Sequence, residues 1–131
     1  MTPIILDTKI IARNLAKTIE TIRYLAYRED VELLPTAYAR AMAIALIIQT
    51  SESHPNYFFS PWISGDECGG VRAVWSLTIP DKEVRLIVPP NPKTKIRIYH
   101  EVGQKAELDF NVSGQTIGEY IELLCQQKHK H

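Results

Sequence analysis

Few side chains in this chain of 131 residues have the chemistry of a catalytic nucleophile and its base. Cys68 stands in the glycine-rich segment Gly65–Gly70, and His54 and His100 stand elsewhere in the chain. A cysteine attacks as the thiolate, so it needs a base or a positive charge close to its sulfur. The sequence allows one enzyme hypothesis on this basis: a thiol enzyme that uses Cys68, with His100 as the base.

The four histidines and two cysteines are not spaced as metal ligands. Zinc sites draw their ligands from closely spaced pairs, and here only His129 and His131, at the end of the chain, are neighbours of that kind. Gly65–Gly70 lacks the Gly-Lys-Ser/Thr of a phosphate loop and the periodic acids of a calcium loop. We therefore expect no metal site and no cofactor, and we interpret Gly65–Gly70 as a hairpin loop.

Basic side chains recur along the alternating part of the sequence, at Arg72, Arg85, Lys95 and Arg97. A sheet that presents basic residues beside an aromatic such as Tyr99 can hold single-stranded nucleic acid. The net charge argues against it, because fifteen Lys and Arg balance fifteen Asp and Glu. The same strands also carry acids that can pair with the arginines, namely Glu83, Glu107 and Asp109. Nucleic-acid binding is kept as the alternative function, with nucleic acid not expected as the main partner.

An aromatic segment follows the helical part of the chain and contains Tyr57, Phe59 and Trp62. Pro61 cannot donate a hydrogen bond to a β-ladder, so an edge strand or an extended arm is expected here. An edge of this composition favours pairing or docking with another chain. We expect Tyr57, Phe59 and Trp62 to bind a partner protein or a second copy of the chain, and Trp75 to lie in the core.

Helical periodicity predicts three helices. Apolar residues recur at spacings of three and four over residues 8–30. Residues 36–52 are apolar almost all round, which is typical of a heavily buried helix. A third helix is predicted over residues 114–127, with Ser113 as its cap.

Alternation predicts four or five antiparallel strands over residues 57–111, joined by short turns that include Pro80-Asp81 and Gly103. The pattern puts on the helix side Val84, Leu86, Ile96, Ile98, Ala106, Leu108 and Phe110. It puts on the opposite face Arg85, Arg97, Glu107 and Asp109. Helices and strands are segregated, so the sequence predicts a single α+β domain over residues 1–131. It would have two N-terminal helices, an antiparallel meander, and a C-terminal helix packed on the same sheet face.

The composition and the first residues of the chain indicate in which cellular compartment the protein is expected. Hydrophobic residues make up 45% of the chain, and no run approaches the length of a membrane span. The start has no basic segment of a signal peptide, and two cysteines are too few for a disulfide scaffold. We expect a cytoplasmic protein with reduced thiols and no membrane partner, although a Cys68–Cys125 bridge is an open alternative.

The run Cys68-Gly69-Gly70-Val71-Arg72-Ala73-Val74-Trp75 follows an Ala-rich helix and a Pro-bearing extended segment. Over residues 36–100 this arrangement resembles a loose group of small uncharacterised bacterial α+β proteins, some of them encoded near toxin–antitoxin or mobile-element modules. That group usually has Glu before the Trp, where this chain has Val74, so the resemblance carries over no site residue. It implies an accessory or antitoxin-like partner protein. Together with the aromatic edge, it leads us to expect a protein-interaction module without catalytic activity.

Overall fold

Three helices and a five-stranded sheet make up the fold of the computed structural model, which describes residues 8–28, 33–77, 82–102 and 105–127. The helices are α1 (Thr8–Tyr24), α2 (Ala37–Ser53) and α3 (Gly114–Gln127). The strands are β1 (Trp62–Gly65), β2 (Val71–Ser76), β3 (Lys82–Val88), β4 (Arg97–Val102) and β5 (Lys105–Asp109). The predicted α+β class is confirmed.

The helices predicted over residues 36–52 and 114–127 agree with the structure to within a residue. The helix predicted over residues 8–30 is too long. The first helix ends at Tyr24 and continues as a single 3₁₀ turn, Leu25–Tyr27. The end of that predicted helix at residues 29–30 and the predicted turns at Pro80-Asp81 and Gly103 lie outside the described residues. Within the described ranges, no helix is both long and apolar enough to cross a membrane.

The sheet is an antiparallel meander in which the strands lie in chain order from β1 to β5. Its register puts Ala73, Leu86 and Ile98 in one line across the central strands. All three are buried, together with Trp75 and Val84 on the same face. The core therefore lies between this face and the helices, as the alternation of the three central strands predicts.

The start of α2 is anchored to two loops of the sheet by Thr36. The Thr36 hydroxyl accepts a hydrogen bond from the Ala39 amide at 3.1 Å, which caps the helix, and donates to the Pro90 carbonyl at 2.6 Å. The Thr36 amide donates to the Gly69 carbonyl at 3.0 Å. One residue thus ties α2 to both the β1–β2 loop and the β3–β4 loop.

Helices α2 and α3 approach closely because glycines stand at the contact. A Cβ added to Gly114 would lie 2.5 Å from the backbone carbon of Gln49 and 2.7 Å from the Thr50 nitrogen. A Cβ added to Gly118 would overlap the ring of His54. Ser113 caps α3 as predicted, since its Oγ accepts from the Thr116 amide at 3.1 Å.

The predicted faces of β5 are wrong. Leu108 pairs with Tyr99 and Asp109 pairs with Ile98, so Glu107 and Asp109 face the helix side. Ala106, Leu108 and Phe110 are exposed. The reason is that β5 is the edge strand beyond the helices, where the groups facing it are the polar ends of His100 and Tyr120. These groups pair with carboxylates, and no apolar surface is left there for Leu108 to cover.

Candidate protein interface

The sheet face opposite the helices, here called the outer face, sorts its side chains into three rows across the strands. The central row is Trp62, Val74, Arg85, Tyr99 and Leu108. The basic row, on one side of it, is Ser64, Arg72, Ile87 and Arg97. The acidic row, on the other side, is Ser76, Glu83, Glu101 and Ala106. The face therefore has an aromatic and apolar middle with opposite charges on its two sides.

Large apolar side chains stand exposed at both ends of the central row. Trp62 on β1 is 77% exposed and Leu108 on β5 is 51% exposed. Beside Trp62, a groove of about 660 Å³ runs between β1 and α1, with Val74 on one wall and Lys17 on the other. Exposed aromatic and aliphatic side chains in line across a sheet are the kind of surface that partner proteins cover.

The middle of the central row is held in place by contacts within the sheet. The Arg85 guanidinium lies 5.4 Å from the centroid of the Tyr99 ring. Its Nη2 is 2.8 Å from Glu83 Oε2. The Tyr99 hydroxyl donates to Glu101 Oε2 at 2.7 Å, and this hydrogen bond raises the pKa of the Tyr99 phenol. Tyr99 therefore presents a fixed ring, tied through its hydroxyl to the acidic row.

The basic row is different, because its two arginines have no partner among the described residues. Within the described part of the chain, neither Arg72 nor Arg97 makes a hydrogen bond or an ion pair. Arg72 Nε is shielded from solvent without a hydrogen-bond partner. Arg72 also lines a cavity of about 430 Å³ near the β1–β2 loop. An unpaired and partly buried guanidinium is poised to receive an acceptor from outside the chain.

The four basic residues predicted for nucleic acid are thus only partly brought together. Arg72, Arg85 and Arg97 share the outer face, whereas Lys95 is exposed in the connection that precedes β4. Arg85 is neutralised by Glu83. The acids predicted beside them, Glu107 and Asp109, are on the other face.

The predicted aromatic edge is divided in the same way. Trp62 stands out from β1, but Tyr57 and Phe59 are partly buried and pack against the core. The Phe59 carbonyl accepts a hydrogen bond of 2.8 Å from Nε1 of Trp75, whose side chain is fully buried, as predicted. Of the three residues predicted to bind a partner, Trp62 alone is exposed.

A polar cluster that sequence reasoning missed lies on the helix side of β4 and β5. The His100 ring stacks on Tyr120 with 4.4 Å between centroids, and its Nε2 is 3.1 Å from Glu107 Oε2. The Tyr120 hydroxyl donates to Asp109 Oδ2 at 2.7 Å. Burial and this bond to the carboxylate raise the pKa of Tyr120 to about 12. The cavity beside these rings is about 40 Å³, which is room for a water molecule or two rather than a substrate.

Cys68 lies exposed in the β1–β2 loop, a hairpin loop as predicted. Asp66 Oδ1 accepts from the Cys68 and Gly70 amides, both at 2.8 Å, and Gly69 takes a φ of 88°, which suits glycine. The loop adjoins Val71 at the start of β2. His100, in contrast, lies in register with Trp75 near the other end of that strand. Cys68 and Cys125 are not joined by a disulfide.

Comparisons of this chain with protein-family models, with curated proteins and with solved structures find no match.

Proposed function

We propose that this protein is a cytoplasmic protein-interaction module, without catalytic activity of its own, that binds a partner protein through the outer face. The observation that carries the proposal is the central row, which is exposed at Trp62 and Leu108 and held rigid between them by the contacts of Arg85 and Tyr99. Rigid aromatic side chains lose little conformational entropy when they are covered, so they are effective anchors.

The charges of the outer face favour a protein over a polyanion. Arg72, Arg85 and Arg97 share it with Glu83 and Glu101, so the face has mixed sign. A nucleic acid laid across the rows would bring its phosphates next to two carboxylates. A protein can match both signs at once.

Two further observations support the proposal that the protein has no catalytic activity and that it lies in the cytoplasm. The described cluster of titratable groups around His100 borders a cavity too small for a substrate. The sequence has two cysteines and they form no disulfide, which is typical of proteins in a reducing compartment. An accessory or antitoxin-like role, implied by the resemblance of residues 36–100, is consistent with such a module.

A photo-crosslinking amino acid in place of Trp62 tests the proposal in cells. We expect a crosslinked protein adduct from position 62, and a marked loss of it when Arg97→Glu is added. The matched control carries the crosslinker in place of Glu119, an exposed residue of α3. Equal adducts from both positions, or none from position 62, would overturn the proposal.

The second candidate function is single-stranded nucleic-acid binding through Arg72, Arg85, Lys95 and Arg97. It is favoured by the unpaired state of Arg72 and Arg97 among the described residues. Fluorescence anisotropy with a labelled single-stranded oligonucleotide tests it, since phosphate contacts weaken steeply as salt rises. Affinity that Arg72→Ala plus Arg97→Ala leaves unchanged would exclude this function.

A further inference from the structure

The outer face is self-complementary in charge. The basic row and the acidic row lie two residues to either side of the central row, at about 7 Å along the strands. Arg97 and Glu101 occupy equivalent places on β4, one on each side of Tyr99. A surface of this kind can pair with a copy of itself when the basic row of each copy faces the acidic row of the other.

Only one of the two axes that keep the strands aligned gives that match. A two-fold axis along the strands would stack the basic row of one copy on the basic row of the other. A two-fold axis along the central row exchanges the sides, so that Arg97 of each copy meets Glu101 of the other. Aligned strands are also the common arrangement when two sheets pack face to face.

From this we propose that the partner of the outer face is a second copy of the chain, related by a two-fold axis along the central row. The inference rests on the proposed function, because it names the occupant of the same face. In this dimer every residue of the central row meets its own counterpart across the axis, namely Trp62, Val74, Arg85, Tyr99 and Leu108. The two Arg97–Glu101 contacts lie on either side of them.

The unpaired state of Arg97 fits this arrangement. Arg97 makes no ion pair among the described residues of its own chain, whereas Arg85, on the axis, is already neutralised by Glu83. The charge of Arg85, at the centre of the face, is therefore compensated within each copy. The charge of Arg97, at the side, can be compensated by the other copy. Arg72, in the same row, would lie opposite Ser76 of the second copy, one strand away from its Glu83.

The size of the face suits a weak, reversible dimer. Five strands spaced about 4.8 Å apart, with about six residues each, give a face of about 500 Å² per copy. Two such faces bury about 1,000 Å², which is below the roughly 1,200 Å² at which stable complexes begin and is typical of weak, transient ones. We accordingly expect a dimer that dissociates on dilution and weakens as salt screens its ion pairs.

Sedimentation equilibrium with charge-reversal variants tests the dimer. The dissociation constant of the wild-type dimer should lie below about 1 mM. Arg97→Glu and Glu101→Arg should each weaken self-association about tenfold or more, because each brings like charges together twice per dimer. An equimolar mixture of the two variants should form a heterodimer, and the double variant should dimerise again. Arg23→Glu, on the exposed side of α1, is the control and should dimerise as the wild type does.

The pattern of results separates this inference from the proposed function. A wild type that is monomeric at about 1 mM, or single reversals that dimerise normally, would overturn the two-fold dimer. If position 62 still crosslinks to a different protein, the interaction module stands and only its occupant is wrong. A monomer that binds the labelled oligonucleotide through Arg72 and Arg97 would overturn both.

Discussion

The guanidinium of Arg85 lies over the ring of Tyr99, its cross-strand neighbour, with 5.4 Å between the guanidinium carbon and the ring centroid. The same guanidinium is held by Glu83, and the Tyr99 hydroxyl is held by Glu101. The two side chains therefore stiffen each other in the middle of the outer face. This contact lies within one chain, so it can be measured without a partner.

A double-mutant cycle with Arg85→Met and Tyr99→Leu should give a coupling free energy of about 0.5 kcal/mol, because the contact is partly exposed. Urea denaturation of the four proteins at one fixed protein concentration provides the measurement. Arg85→Met keeps most of the side-chain stem, so the cycle isolates the charge over the ring. Strictly additive effects of the two substitutions would show that the stacking contributes nothing.

Trp75→Phe should destabilise the protein by about 2 to 3 kcal/mol, since it leaves a void in the core and removes the donor to the Phe59 carbonyl. Trp62→Phe should change stability by less than about 0.5 kcal/mol, because Trp62 is exposed. Both values follow from urea denaturation monitored by circular dichroism. Equal losses for the two variants would contradict the assignment of Trp75 to the core and Trp62 to the surface.

Gly114→Ala should destabilise the protein by about 1 to 3 kcal/mol, even though alanine is the better helix former. The added Cβ would press on the backbone at Gln49 and Thr50, so α3 would have to move away from α2. Gln115→Ala, at the next and exposed position of α3, should have little effect. A stabilised Gly114→Ala protein would mean that the two helices are further apart than described.

Tyr120 should be the source of a tyrosinate signal with a midpoint near pH 12, against 10 for an ordinary tyrosine. Burial and the hydrogen bond to Asp109 favour the neutral phenol in the folded protein. Its contribution to stability is thus complete below pH 10 and is lost as the pH rises towards 12. The ultraviolet difference between wild type and Tyr120→Phe, read just after a pH jump, gives the midpoint. The same midpoint in urea as in the folded protein would contradict this.

Asp109→Asn should lower the stability at neutral pH and have no effect in strong acid. The Asn111 amide and the Tyr120 hydroxyl donate to the Asp109 carboxylate and lower its pKa below 3.8. The stabilisation is therefore present above pH 3.8 and disappears as the pH falls through the lower value of the folded state. Denaturation of both proteins across the acid range measures it, and a pH-independent difference would exclude an ionic origin.

The elements of the fold could be predicted from local patterns, because each pattern reports which side of an element is buried. Alternation placed Val84, Leu86 and Ile98 correctly, because both of their strands, β3 and β4, lie beneath helices. It failed at Leu108, because burial at an edge strand depends on how far the helices reach across the sheet. No local pattern contains that distance.

The candidate interface was less predictable than the fold, because it depends on how separate elements come together. Which aromatic of Tyr57, Phe59 and Trp62 is exposed depends on the path of the chain before β1, and the outcome shows only in the tertiary structure. The Tyr120–Asp109 hydrogen bond joins residues on different elements. The three rows of the outer face require the register of all five strands, although the alternating basic and acidic residues were visible in the sequence.

The two tryptophans lie on opposite faces of one sheet, with the Trp62 indole in solvent and the Trp75 indole sealed in the interior. The molecule thus carries two intrinsic fluorophores in contrasting environments. A blue shift and reduced iodide quenching of Trp62 would report that something has covered its face, while Trp75 emission would report that the fold is intact. Occupancy and unfolding can therefore be followed separately in the unlabelled protein.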